Sequence, residues 1–120
     1  VKEIRIPNMP LQSKGVYIKL SPRSRMDLAV VGVGSVVVQD NGLIQEVRIA
    51  LGAVAPTPMR AKRAEDVLKG EKVRAKTVLK AAETASAESE PIDDHRASAE
   101  YRKMMVEALV KRAINNTLPN

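Results

Sequence analysis

One short segment gathers the side chains best able to meet a ligand. Tyr17 and Lys19 lie two residues apart, and Arg23, Arg25 and Asp27 follow at once. In an extended strand, residues two apart point to the same face, so Tyr17 and Lys19 share one. A phenol, an ammonium and two guanidiniums at one strand end suit an anionic or planar ligand. The same pattern also reads as a solvated polar face, with Asp27 paired to a neighbouring arginine. The pattern alone favours that plainer reading.

The rest of the chain offers little from which to build a catalytic centre. His95 is the sole histidine and there is no cysteine. Thiolate nucleophiles, disulfides and cysteine-held metals or clusters are therefore excluded. The lack of cysteine fits a reducing cytoplasm. Asp93, Asp94 and His95 are consecutive, which does not let all three face one metal ion from a regular helix. They read instead as a loop leading into a helix, with acids near an N-terminus where the helix dipole favours them. Gly32-Val33-Gly34 is half of a dinucleotide-binding fingerprint without its third glycine or following helix. Glycines inside a strand more often permit a bend or close packing. A complete enzyme is not expected from these residues, and no metal site is expected.

Charge points weakly toward a polyanion. The net charge is +6 and the pI about 9.8. Residues 60–80 hold eight Lys or Arg against three Asp or Glu, whereas residues 83–94 hold five acids and no base. A free-standing basic interaction or nucleic-acid-binding module is the alternative this balance raises. Single-strand binders stack bases on aromatic rings, and here only Tyr17 and Tyr101 are aromatic. A solvated helix face beside an acidic loop explains the same asymmetry. No apolar run approaches membrane-spanning length, and no signal peptide is visible.

The elements that must position these side chains fall into two halves. Ile4 and Ile6 alternate in a short opening run that stops at Pro7. Val16, Ile18 and Leu20 alternate with Tyr17 and Lys19, which predicts a strand. Leu28 to Val38 is a long Val-rich run. Asp40-Asn41-Gly42 is a turn signal, after which Leu43, Val47, Ile49 and Leu51 recur at even spacing, so a β-hairpin is predicted.

Ala53 to Pro58 reads as a linker. Three helices follow in expectation. Ala61–Lys69 carries Ala64, Val67 and Leu68 on one stripe, with Gly70 as cap. Val73 to about Ala87 carries Ala75, Val78, Leu79 and Ala82 on another. The last helix is capped by Ser98 and reaches about Leu118. Its stripe is Val106, Leu109, Val110 and Ala113, widened by Tyr101, Met104, Met105 and Ala108. Strands first and helices afterwards predict an α+β fold over residues 1–120, with helices on one face of an antiparallel sheet.

Four stretches then carry a resemblance. Tyr17-Ile18-Lys19-Leu20, Arg23, Arg25 and Asp27–Val33 resemble a Y-x-K, R-R, D-x-A-x-V stretch. Arg48–Ala61 is similar to an R-x-x-x-G-x-x-x-x-T-P-x-R-A signature, continued by Ala64-Glu65 and Leu68-Lys69-Gly70. Pro91–Arg102 matches P-x-D-D-x-R-x-S-x-x-Y-R, and Val110–Ala113 matches a closing helix. In this order they resemble the C-terminal domain of FAD-binding subunits in the xanthine dehydrogenase and carbon monoxide dehydrogenase family of molybdenum hydroxylases.

The resemblance implies a role in electron transfer. In that family two earlier domains of the same subunit bind most of the FAD, and the C-terminal domain closes one side of the isoalloxazine pocket. Electrons arrive from a molybdenum cofactor through 2Fe-2S clusters in partner subunits and leave to an acceptor such as NAD or a quinone. Tyr17 and Lys19 become candidate cofactor contacts. Arg23, Arg25 and Asp27 become residues of a loop that controls acceptor access. Tyr101 and Arg102 are expected to orient the last helix on the sheet. Partners would be the N-terminal FAD-binding domains and the molybdenum and iron–sulfur subunits, with self-association expected of the chain alone.

Overall fold

A computed structural model of the chain describes residues 1–21 and 28–117. Four antiparallel strands pair in chain order, β1 (Ser13–Leu20), β2 (Val31–Asp40), β3 (Leu43–Gly52) and β4 (Met59–Arg60). Three helices follow, α1 (Lys62–Leu68), α2 (Ala75–Glu88) and α3 (Ala99–Asn116). The α+β arrangement is the one read from the sequence. Helices α1 and α3 lie on one face of the sheet, and α2 packs against both.

The hairpin forms where the turn signal predicted it. Asn41 and Gly42 take φ of 54° and 80° between the paired Asp40 and Leu43. Two consecutive positive-φ residues make a type I′ turn, whose twist matches that of the strands it joins. Along β2, Val31, Val33 and Val37 are buried against the helices, and Val47, Ile49 and Leu51 do the same from β3. Burying each such side chain contributes about 1.5–3 kcal/mol. No Phe or Trp helps to fill this core; Val, Ile, Leu and Ala make it, with Met59 and Met105 packed at its margin.

One alternation breaks near the turn. Leu43 shares odd numbering with Val47, Ile49 and Leu51, yet it is exposed and Ile44 is buried in its place. The pairing moves from Val38↔Glu46 to Gln39↔Ile44 across a β-bulge. The extra residue flips every side chain beyond it to the other face.

Other expectations need correction. The Ile4–Ile6 run forms no strand: residues 1–10 have no regular structure and both isoleucines are exposed. Among the described residues no strand pairs with them to complete their backbone hydrogen bonds. β4 emerges at the end of the predicted linker. Two residues are too few to show periodicity. On α2, Leu79 is largely exposed, and Val78, Ala81, Ala82 and Ala85 form the buried stripe. On α3, Tyr101 and Met104 are exposed, and Arg102 is buried in their stead.

Helix ends are built from distant residues as well as local ones. Ser98 accepts the Tyr101 N–H, as a cap serine should. Helix α1 has no side-chain cap of its own. Glu88, at the end of α2, instead accepts the N–H groups of Arg63 and Ala64 at 2.8 and 3.3 Å. Gly70 takes φ of 82° just after α1 and donates to the Ile44 carbonyl, tying the helix exit to β3.

Candidate functional site

With helices on one side, the other face of the sheet is left to its own side chains. Tyr17 and Lys19 stand on that face of β1, both exposed, while Val16, Ile18 and Leu20 turn toward the helices. Their opposite numbers on β2 are glycines: Tyr17 pairs with Gly34 and Lys19 with Gly32. Beyond them on β3 come Ala50, opposite Gly34, and Gly52, opposite Gly32. At this end of the sheet, the floor next to Tyr17 and Lys19 therefore carries nothing larger than a methyl group.

The tyrosine ring lies across that floor. A Cβ built on Gly34 would be 3.8 Å from the ring edge, and one on Gly32 would be 2.7 Å from the phenol oxygen. The ring thus starts over Gly34 and ends over Gly32. The glycines were expected to serve close packing or a bend; they serve close packing. A shallow groove of about 540 Å³ runs beside the ring, with Arg48 and Arg60 on its far side and Met9 and Gly15 near it.

Arg23, Arg25 and Asp27 lie outside the described residues. The ends of their segment are nonetheless tethered together, since the Val30 N–H donates to the Leu20 carbonyl at 2.8 Å.

The arginines across the groove are committed to carboxylates. Arg60 donates to both oxygens of Glu65, at 2.6 and 3.1 Å, and that bond holds its guanidinium above the usual range. Glu65 is itself buried and also accepts the Ile49 N–H at 3.0 Å. Arg63 faces Glu88. One cation of the basic 60–80 stretch is thus tied into the fold and a second is paired at the surface, which weakens the reading of that stretch as a phosphate-binding surface.

A second polar cluster sits at the sheet end near Val30. Asp94 accepts from the backbone N–H groups of Arg96 and Ala97 and from the guanidiniums of Arg96 and Arg102. The Arg96 N–H, followed by that of Ala97 and the charge of Arg102, outweighs burial and lowers its pKa to about 2. Arg102 also donates to the Ala53 carbonyl at 2.9 Å. Ala53 is held at φ 65°, a strained value for a residue with a Cβ. This cluster fixes α3 to the sheet, as expected of Arg102. The neighbouring Asp93 accepts the Ala99 N–H at the start of α3, the place anticipated for the acids. Among the described residues no group of His, Asp and Glu could hold a metal ion.

The sequence model of one family, described as the CO dehydrogenase flavoprotein C-terminal domain, matches residues 16–117. The chain belongs to that family. Within this flavoprotein-domain family, the carbon monoxide dehydrogenase medium chain of Hydrogenophaga pseudoflava is 35% identical over 113 residues, spanning 94% of this chain and 39% of the relative. A putative xanthine dehydrogenase FAD-binding subunit of Escherichia coli K12 is 28% identical over the same length. Among solved structures, a Hydrogenophaga pseudoflava carbon monoxide dehydrogenase lacking the Mo-pyranopterin moiety superposes with TM-score 0.89 at 37% identity, over 93% of this chain and 39% of that one. Quinoline 2-oxidoreductase from Pseudomonas putida 86 gives 0.82 at 30% identity, over 90% of this chain and 37% of that one.

The flavoprotein-domain motifs now have places. The Y-x-K pair lies on the exposed face of β1, and Arg48–Ala61 makes the second half of β3, the loop after it and β4. The P-x-D-D-x-R run leads into α3 and is bonded to the β3–β4 loop through Arg102 and Ala53.

Sequence reasoning missed the glycine floor and the Arg60–Glu65 bracket. The floor was detectable in principle: Gly32 and Gly34 share the two-residue spacing of Tyr17 and Lys19. Only the strand register brings the two pairs together.

Proposed function

We propose that this chain serves as the C-terminal domain of a FAD-binding oxidoreductase subunit, and that its bare sheet face closes one side of the flavin pocket at Tyr17 and Lys19. The observation that carries the reading is the pairing of an exposed phenol and ammonium with a floor of Gly32, Gly34, Ala50 and Gly52. With Tyr17 laid over Gly34 and Gly32, a planar ring system would meet the outer face of the phenol, because no side chain of this floor pushes the phenol upright. FAD, when bound, would accept electrons from a reduced centre and hand them to an acceptor. Lys19 would place a positive charge near the ring, which favours negative charge there in a partly dry site. Tyr17 would supply an apolar ring face with a hydroxyl at its tip. Arg23, Arg25 and Asp27 would lie on the loop through which an acceptor approaches.

Because the chain spans 39% of its relatives, most contacts to the cofactor would come from the rest of the subunit. The electrons would originate at a molybdenum cofactor, which the name of one solved relative mentions, and would pass through 2Fe-2S clusters in partner subunits, as the family resemblance implies. The test is Lys19→Ala in the assembled enzyme. Reduced FAD content, or a changed rate of flavin reduction or acceptor turnover, is expected. Wild-type values for all three would defeat the assignment of this face.

A further inference from the structure

The two glycines of β2 stand on the same face, two residues apart, yet they meet Tyr17 differently. Neither has a positive φ, so the backbone at both positions is open to any residue. What separates them is the tyrosine side chain. A Cβ at Gly34 would sit 3.8 Å from the ring, an ordinary van der Waals contact. A Cβ at Gly32 would sit 2.7 Å from the hydroxyl oxygen and 3.4 Å from the ring carbon bearing it. The first distance lies well inside contact range, so alanine at 32 and the present ring position exclude each other.

We infer that Gly32 is the positioning residue for Tyr17: its missing side chain lets the phenol lie flat along the sheet, with its hydroxyl beside Lys19. Lys19 is the strand partner of Gly32, so the space vacated at Gly32 adjoins the Lys19 backbone. The atom in conflict is the far end of the side chain of a residue that is 65% exposed. Alanine at 32 therefore lifts the ring and leaves the fold intact, since the ring has solvent to move into. Gly34 is dispensable for the same purpose. The inference rests on the proposed flavin-facing role of Tyr17 only in its functional consequence, and its structural half stands alone.

The experiment compares Gly32→Ala, Gly34→Ala and Tyr17→Leu. In the 120-residue chain, NMR should show nuclear Overhauser contacts from the Tyr17 ring to the Gly32 α-protons. Those protons should also carry a ring-current shift that vanishes in Tyr17→Leu. In Gly32→Ala, the contacts from the ring to residues 32 and 34 are lost and Tyr101 is unmoved. In Gly34→Ala, the contacts to Gly32 persist. Retention of the ring contacts in Gly32→Ala, or their equal loss in Gly34→Ala, overturns the inference.

In the assembled flavoprotein, flavin fluorescence and visible circular dichroism of Gly32→Ala should match those of Tyr17→Leu. The double variant should add nothing, and Gly34→Ala should resemble wild type. A normal flavin signature in Tyr17→Leu, with the ring displaced in Gly32→Ala by NMR, would reject the flavin contact and uphold the positioning role.

Discussion

At the scale of single residues, the most consequential ionisable group lies in the clamp on α3, away from the candidate site. Asp94 gathers two backbone N–H groups and two guanidiniums, and its pKa falls to about 2. A carboxyl with a depressed folded-state pKa binds fewer protons folded than unfolded at acid pH. Its stabilisation is therefore complete above its ordinary value near 3.9 and is lost as the pH falls toward about 2. Urea unfolding between pH 2 and 7 should show this acid limb, and Asp94→Asn should flatten it. An unchanged limb in the variant would mean that other carboxylates set it.

Arg102→Met removes the partner of the Ala53 carbonyl and one of the two guanidiniums on Asp94. Hydrogen bonds to charged groups are worth about 1.5–3 kcal/mol each, so a loss of about 3 kcal/mol or more is expected. A wild-type urea midpoint for this variant would show that the clamp is dispensable.

At the scale of elements, the weak point is the join between β3, β4 and α1. Strand β4 is only two residues long and α1 only seven. Neither would be stable alone, because short helices and isolated strand pairs are marginal in water. Glu65 holds them together from inside: one carboxylate serves the Ile49 N–H and both donors of Arg60. Glu65→Ala leaves a sheet N–H without its partner and frees a guanidinium. The expected cost is about 2 kcal/mol. Amide exchange at Ile49 should accelerate in the same variant. Protection at Ile49 equal to wild type would show that the strand pairing, and not the carboxylate, closes this join.

At the scale of the whole molecule, one face of the sheet is covered and the other is not. Tyr17 stands exposed on the uncovered face. Ile4, Ile6, Met9 and Leu11 of the N-terminal arm are also exposed, as is Leu28. Exposed apolar groups concentrated in this way favour association. The net charge of +6 opposes it through repulsion between copies. The isolated chain should therefore self-associate with rising concentration, and more strongly in salt, which screens the repulsion. Light scattering across concentration and ionic strength checks this. A monomer throughout would show that the exposed face is not adhesive.

The hairpin, the strand bearing Tyr17 and Lys19, and the three helices were legible in the sequence. Each is announced by local chemistry: a two-period apolar run, an Asn-Gly turn, a 3.6-period stripe or a cap serine. The four motifs were legible too, and with them the family. What lay beyond reach came from contacts between residues far apart in the chain. Leu43 is exposed because a bulge opposite Val38 and Gln39 shifts the register, and bulges have no reliable sequence mark. Arg102 interrupts an otherwise apolar stripe and is buried because Asp94 and Ala53 happen to meet it.

The candidate site divides in the same way. That Tyr17 and Lys19 share a face follows from strand geometry alone, because alternation is a property of every extended backbone. That the face is bare, and that Gly32 and Gly34 lie beneath the tyrosine, required the pairing of β1 with β2. Register is settled by the hairpin turn and by burial of the opposite face, both of which act across the whole sheet. The sequence by itself determined the longer elements and the family. The tertiary structure alone decided which glycine meets which ring.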